Sequence, residues 1–321
     1  MPAPSSASWL RPDLREYFEA LPLAALQEGF STLEVLPPQG VTVSASANIS
    51  TIPQSTYLKR VDTQRKARAA YPRLEWTFGQ DNFSTAEHGL EVPQDDNDRA
   101  TYSYTGIEFD MIEAELSRYL CMLDMEIAGA AALQSTATFE NTGATLAWDD
   151  YASADPLADL LAATLAFRDL YGLPPNTVVI PWKAAARLKL CASVSDRLKY
   201  WGGTDPAGIK EGVVLSYFRD LGLERVIVPR AIYNSANEGL SVSLTDIWDP
   251  DKVSLYYVRE GLPLRGVGRS FFYTGDGADE RGAVEQYRSN ERRGDVVRFR
   301  FQYDQKVLDS NAGYIITGCE T

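Results

Sequence analysis

The chain has 321 residues, a formal net charge of -13 and 45% hydrophobic residues. This is enough apolar material for one large domain or for two or three smaller ones. The acidic balance argues against direct binding to duplex DNA, which depends on basic residues that neutralise phosphates. The sequence has neither the long apolar run of a membrane-spanning helix nor the basic start and apolar run of a signal peptide, so neither is expected.

The sequence shows no cluster of catalytic or metal-binding residues. Cys121, Cys191 and Cys319 lie far apart without a Cys-x-x-Cys pair, so we predict reduced thiols in a cytosolic chain. His88 is the single histidine, and no Gly-x-Ser-x-Gly motif is present to support a catalytic triad. The aspartates at 249 and 251 lack the glycine and distal glutamate of a calcium loop. We therefore predict no enzyme activity, no metal and no cofactor.

Residues 1 to 53 are predicted to form an N-terminal arm. Seven prolines interrupt this stretch, and one short amphipathic helix is expected at about 12–20. Residues 40–52 are small and polar, so they cannot form a core of their own and need another surface to lie on.

Residues 54 to 98 are predicted to form an extended hairpin or loop with divided charge. The basic half contains Lys59, Arg60, Arg65, Lys66, Arg68 and Arg73, with Asp62 as its one acid. The acidic half contains Asp81, Glu87, Glu91, Asp95, Asp96 and Asp98. One interpretation is a solvated two-stranded loop whose charges match across its strands. The other is that each half meets an opposite charge on another subunit. A long hairpin is only marginally stable alone in water, which favours such docking. On the second interpretation the six basic residues and Asp81, Glu87 and Glu91 are subunit-interface residues.

A long helix is predicted at about 105–133. Its apolar residues recur every three or four positions and form one stripe: Ile112, Leu116, Tyr119, Leu120, Leu123, Ile127, Ala130 and Ala131. At 1.5 Å per residue the helix reaches roughly 35 Å, which is typical of a spine. A coiled coil is less well supported because the stripe is not sustained over four heptads. We expect the stripe to pack on a sheet near Phe299 and Phe301.

The rest of the chain alternates helices and strands. Asp155 is predicted to cap a helix that has Pro156 in its first position and ends at Gly172. Further helices are expected at 182–190 and 212–222. Strands are expected at 177–180, 224–228, 253–258, 295–307 and 313–317, the fourth being long and half-buried.

Four stretches in this order carry a family resemblance. They are the long helix with Glu113 and Glu126; Trp148 followed by Ser-Ala-Asp-Pro-Leu-Ala-Asp (153–159) and Tyr-Gly-Leu-Pro-Pro-Asn-Thr-Val-Val-Ile (171–180); Gly-Leu-Glu-Arg-Val-Ile-Val-Pro (222–229); and Ala-Gly-Tyr-Ile-Ile-Thr (312–317). Their order and spacing over nearly the whole chain resemble the major capsid proteins of tailed bacteriophages, the Hong Kong 97-type fold family.

The resemblance implies an α+β fold divided into named parts. Residues 1–53 would be the N-terminal arm and 54–94 the extended loop that overlaps a neighbouring subunit. Residues 95–175 and 286–321 would form the peripheral domain, with the spine helix at 105–133. Residues 176–285 would be the inserted axial domain, with loops that meet at the five-fold and six-fold axes.

The same resemblance implies a function. Copies of the chain would assemble as pentamers and hexamers into an icosahedral head that encloses double-stranded DNA without sequence-specific binding and without a membrane. The protein would be made in the host bacterial cytoplasm and end in the virion. No long charged helical scaffolding segment is seen, so a separate scaffolding protein or removal of such a segment is expected, with a portal and decoration proteins as further partners.

Two alternatives remain open. An encapsulin-type cellular compartment would share the fold, but it would enclose an enzyme cargo and need a hydrophobic docking groove on its inner wall. An α/β enzyme with an unusual arm would need a pocket in the predicted axial unit, with Asp249 or Asp251 supporting turnover.

Overall fold

A computed structural model describes residues 9–10, 27–65, 70–73, 77–103, 109–196, 218–219, 221–261, 265–275, 278, 282–291 and 293–320. The helices are α1 Thr32–Val35, α2 Gln54–Tyr57, α3 Asp96–Ser103, α4 Phe109–Leu133, α5 Pro156–Tyr171 and α6 Trp182–Leu188. The strands are β1 Trp9–Leu10, β2 Pro38–Val41, β3 Ser46–Thr51, β4 Gly79–Ser84, β5 Ala86–Asp95, β6 Glu140–Gly143, β7 Thr177–Val179, β8 Arg225–Ile227, β9 Ile232–Asn234, β10 Leu244–Asp246, β11 Val253–Tyr256, β12 Gly268–Tyr273, β13 Ala283–Ser289, β14 Gly294–Val307 and β15 Gly313–Thr317. The predicted helix at 12–20, most of the one at 212–222 and the first residues of the long helix lie outside the described residues.

The long strand β14 is the centre of a six-stranded sheet. Strand β5 pairs with β14 over residues 294–303, while β13 and then β12 pair along its opposite edge. Strands β1 and β2 lie at the ends of the main path, and only the pairing of β2 with β12 is parallel. The strand predicted at 295–307 is therefore confirmed, and its length lets it organise the sheet.

The strands of the charged region pair outside that region, so the predicted hairpin within residues 54–98 is wrong. Strand β4 pairs with β3, which lies in the range predicted as the arm, and β5 joins β14. Two features of β5 resemble a loop in the sequence but suit this position. A Cβ on Gly89 would lie 2.7 Å from the carbonyl oxygen of Phe299, so only glycine fits there. Pro93 is tolerated because β5 is an edge strand.

Helix α4 packs on the β14 sheet, as predicted, but through a different face. Its buried residues Ala114, Cys121 and Met125 pack against aromatic and β-branched side chains of the sheet. These sheet residues are Phe272, Val284, Val297, Phe299, Phe301 and Tyr303. Because aromatic rings from the sheet already fill the interface, small and flexible helix side chains fit best there.

The larger apolar residues of α4 point away from this interface. Ile112, Leu116 and Leu120 keep 39, 40 and 41% of their surface exposed. Of the predicted stripe, Ala130 alone is buried. The prediction that this stripe packs on the sheet is therefore wrong, although the helix and its partner strand were identified correctly.

A second, five-stranded sheet has the order β6-β15-β11-β7-β8. Helix α5 packs against it in the largest core, which includes Trp148, Phe167 and Tyr171. The helix has the predicted ends: the Asp155 side chain accepts a hydrogen bond from the backbone N–H of Ala158, and Gly172 has φ +80°. This sheet combines strands from both predicted domains, and the division into peripheral and axial domains stays a prediction.

Glu126, a buried carboxylate on α4, joins three distant parts of the chain. It accepts hydrogen bonds from the backbone N–H groups of Ser31 (2.8 Å) and Thr32 (3.0 Å) and from Trp248 Nε1 (2.8 Å). All four residues are buried. The negative charge is thus compensated by three donors, which fix the start of α1 and the loop at Trp248 against the helix.

Among the described helices, none has the length and hydropathy to cross a membrane.

Candidate assembly surfaces

The β3–β4 ribbon is firmly attached to the body of the protein at one end. Phe83 of β4 stacks on Phe271 of β12 with ring centroids 4.4 Å apart, and Ile49 of β3 is buried beside them. The backbone N–H of Ser84 donates to Asp304 Oδ2 at 2.9 Å. The ribbon and the chain between its strands span residues 46–84, so they contain most of the predicted extended loop, residues 54–94.

A second attachment holds the start of the extended loop against the end of α5. Gln54 Nε2 donates to the carbonyl oxygen of Leu170 at 2.6 Å. Leu58 lies over Gly172, where an added Cβ would be 2.7 Å from Leu58 Cδ1. Gly172 therefore serves twice, since its positive φ ends α5 and its missing side chain admits the loop.

Beyond this attachment the loop carries exposed basic residues. Lys59, Arg60, Arg65 and Arg73 are all exposed, and the guanidinium of Arg65 lies 5.0 Å from the centroid of the Tyr71 ring. The predicted interface residues Lys66 and Arg68 lie outside the described residues. Within the described ranges, Lys59, Arg60 and Arg73 form no ion pair.

The acidic half is partly matched by basic residues of the same chain. Asp81 pairs with Lys306 at 3.2 Å and Glu91 with Arg298 at 3.5 Å. Arg288 pairs with Asp96 at 2.5 Å and holds the pKa of that carboxyl below its ordinary value. The predicted charge match across the strands of the loop is therefore wrong. Glu87 is exposed on β5, opposite Gln302.

Two apolar surfaces escaped the sequence analysis. One is the exposed ridge of α4 formed by Ile112, Leu116 and Leu120. The other is the β9–β10 hairpin, which exposes Ile232, Leu240, Val242 and Leu244. An available signal was the Asn-Glu-Gly turn at 237–239, which is typical of a hairpin between two short β-prone stretches.

The residues that were considered as catalytic or metal-binding candidates are buried or contact other parts of the fold. The three cysteines are buried, and burial raises the pKa of Cys121 to about 11. The carboxylate of Asp249 accepts the backbone N–H of Asp251 at 3.1 Å in a turn. The His88 ring lies 4.4 Å from the ring of Tyr303. In the described part of the chain, no group of three or more His, Cys, Asp or Glu residues is placed to hold a metal ion.

No protein-family model and no curated protein sequence matches the chain. Solved structures do match. A phage-related protein from Bordetella bronchiseptica RB50 is 18% identical with a TM-score of 0.70, and the match covers 98% of each chain. The capsid of Myoviridae phage XM1 is 11% identical with a TM-score of 0.51 over 90% of this chain and 92% of that one. The chain has the Hong Kong 97-type phage capsid fold.

The capsid fold extends over nearly the whole chain. A virus-like particle from Pyrococcus furiosus also matches, at 14% identity and a TM-score of 0.54, over 95% of this chain and 98% of that one. The predicted capsid fold, a mixed structure of helices and strands, is thus confirmed. Both sheets and helix α4 lie within the capsid fold.

Proposed function

We propose that the chain is the major capsid protein of a tailed bacteriophage, and that its copies form the icosahedral head around double-stranded DNA. This proposal rests on the structural match that covers 98% of the chain and 98% of a phage-related protein. The net charge of -13 supports it, because an acidic wall encloses DNA without trapping it during packaging. Electron microscopy of the purified protein tests it, since shells are expected.

The parts of the subunit follow from this proposal. Residues 95–175 and 286–321, which include helix α4 and strand β14, would form the peripheral domain, and residues 176–285 would form the axial domain that meets its copies at the five-fold and six-fold axes. Pentamers and hexamers of the chain would build the shell in the host cytoplasm and remain in the virion. A separate scaffolding protein, a portal and decoration proteins are the further proposed partners.

We assign the basic part of the extended loop to contact with a neighbouring subunit. Residues 59–73 hold six basic side chains and one acid in a chain whose net charge is -13, so a second copy offers an acidic surface. Asp81 and Glu91 already have partners in their own chain, whereas Lys59, Arg60 and Arg73 form no ion pair within the described ranges. Such charges set orientation and register more than affinity.

A triple charge reversal tests the loop contact. Changing Arg60, Arg65 and Arg68 to Glu is expected to prevent shell formation while thermal unfolding of the monomer stays unchanged. The matched control changes the same three residues to Lys, which keeps the charge and should preserve assembly. Shells of normal number and size from the reversed variant would refute the assignment. Because the contact is exposed, assembly of the unchanged chain should also weaken as salt rises.

The match to a virus-like particle from Pyrococcus furiosus favours one alternative, a shell that encloses something other than a phage genome. The contents of purified particles distinguish the two functions. Nucleic acid with a portal protein supports the phage head, whereas a co-purifying enzyme without DNA supports a cellular compartment.

A further inference from the structure

The β9–β10 hairpin carries an apolar surface that is largely exposed. Its two strands pair only with each other among the described strands. Leu240, Val242 and Leu244 are 67, 70 and 65% exposed. Leu244 lies opposite Asn234 and Asp246 opposite Ile232, so Ile232 and Leu244 share one face, which Val242 continues at a spacing of two residues. A two-stranded hairpin of this kind is only marginally stable when it is alone in water.

The hairpin nevertheless has a defined shape. The backbone N–H of Ser235 donates to the carbonyl oxygen of Ser243 at 2.8 Å, which extends the ladder beyond the two strands. The turn is closed by a hydrogen bond from the Leu240 N–H to the Asn237 carbonyl at 3.1 Å, and Gly239 supplies the positive φ of +84°. A preformed hairpin loses little conformational freedom when it binds, which suits an interaction element.

An open apolar cavity lies at the base of this hairpin. It has a volume of about 590 Å³, and its lining includes Trp182, Leu190, Phe218 and Val226. Trp182 and Leu190 are 54 and 61% exposed. Large apolar side chains that are exposed around a concave surface indicate a binding site for another apolar group.

The hairpin does not fill the cavity of its own subunit, because none of residues 232–246 lines that cavity and its apolar side chains stay exposed. Its base is held by Lys183, the residue after Trp182 of the cavity lining, whose Nζ lies 2.5 Å from Asp246 Oδ2. At about 3.3 Å per residue, the six residues from Asp246 to Leu240 reach roughly 20 Å. Each subunit therefore presents an exposed apolar hairpin and an open apolar cavity that are lined by different residues.

We propose that the hairpin of one copy of the chain inserts its apolar face into the cavity of a second copy. Charge favours this pairing, because the hairpin tip carries the exposed Glu238 and the cavity lining includes the exposed Lys189 and Arg230. The contact joins different surfaces of the two copies, and repetition of such a contact closes a ring when the rotation between copies permits. The inference rests on the proposed shell function and identifies the contact that holds the rings of subunits together.

Disulfide trapping tests the contact directly. The natural cysteines are buried, so introduced thiols are the reactive ones. A variant with Leu240→Cys is mixed with a variant with Trp182→Cys, assembled and gently oxidised. A disulfide-linked dimer is expected from the mixture and not from either variant alone. Val43→Cys, at a side chain that is 93% exposed outside both surfaces, replaces Leu240→Cys in the control and should give no dimer with Trp182→Cys.

The results separate this contact from the shell function. If the unchanged chain forms shells and the mixture gives no linked dimer, the contact is overturned and the shell function stands. If the unchanged chain forms neither shells nor rings, both proposals fail. If maleimide does not label Trp182→Cys in the monomer, a segment of the same chain fills the cavity, and the contact is again overturned.

A second variant supports the same test without introduced thiols. Val242→Ser with Leu244→Ser is expected to raise the protein concentration needed for assembly about tenfold or more, since the lost apolar contact is repeated in every ring. The denaturant midpoint of the monomer should not change because both side chains are exposed there. An unchanged assembly threshold would contradict the proposal.

Discussion

The two faces of helix α4 differ in the size and the burial of their apolar side chains. The face against the β14 sheet uses the buried Ala114, Cys121 and Met125. Beside it, the buried Glu126 accepts hydrogen bonds from the start of α1 and from Trp248. The outward face carries the larger apolar side chains, with Ile112, Leu116 and Leu120 about two-fifths exposed. The size of an apolar side chain therefore does not identify the buried face.

Among changes to helix α4, replacement of Glu126 has the largest expected effect on the free energy of unfolding. Replacement by Ala leaves the donors of Ser31, Thr32 and Trp248 buried without an acceptor, so a loss of roughly 3–5 kcal/mol in unfolding free energy is expected. Urea unfolding of the variant provides the measurement. Asp124→Ala, at an exposed acid on the same helix, is the matched control and should change stability by less than about 0.5 kcal/mol. Equal stability of the two variants would show that the Glu126 contacts do not hold the fold.

A pair of apolar truncations compares the two faces directly. Met125→Ala removes a fully buried side chain and should cost about 3 kcal/mol in unfolding free energy. Leu120→Ala removes a partly exposed side chain of similar size and should cost less than about 1 kcal/mol. Chemical denaturation of both variants in the same buffer gives the difference. A larger loss from Leu120→Ala would place the buried face where the sequence predicted it.

The smallest effect concerns Glu113 near the start of α4. Burial, followed by the nearby charge of Asp110, raises its pKa from 4.5 to about 7. A carboxyl with a raised pKa in the folded state binds more protons there than in the unfolded chain, so stability falls as pH rises from about 4.5 to 7. Glu113→Gln should remove this loss and raise the free energy of unfolding by on the order of 1 kcal/mol above pH 7. Unfolding curves at pH 5 and pH 8 measure it, and parallel pH profiles of variant and parent would contradict the pKa shift.

The sequence was sufficient where a local signal decides the structure. Asp155, Pro156 and Gly172 mark the ends of α5 because caps and helix-ending glycines act within one turn. The alternating residues of β14 identify a half-buried strand in the same way. The overall fold followed from the order of such elements.

The sequence was insufficient where a distant part of the fold determines the local structure. The face of α4 depends on the aromatic side chains of a sheet built from residues far along the chain, which periodicity does not reveal. Strand β5 contains Gly89, Pro93 and several acids, and it becomes a strand because β14 supplies hydrogen bonds and basic partners. The interface residues of the extended loop remain predictions, because their proposed partner is another copy of the chain.

Electron microscopy of the purified protein under assembly conditions tests the central claim most directly. The account predicts closed shells with five-fold and six-fold rings, in which the extended loop of each subunit lies on a neighbour. Protein that stays monomeric or forms only small oligomers at all salt concentrations, with and without a scaffolding protein, would contradict it.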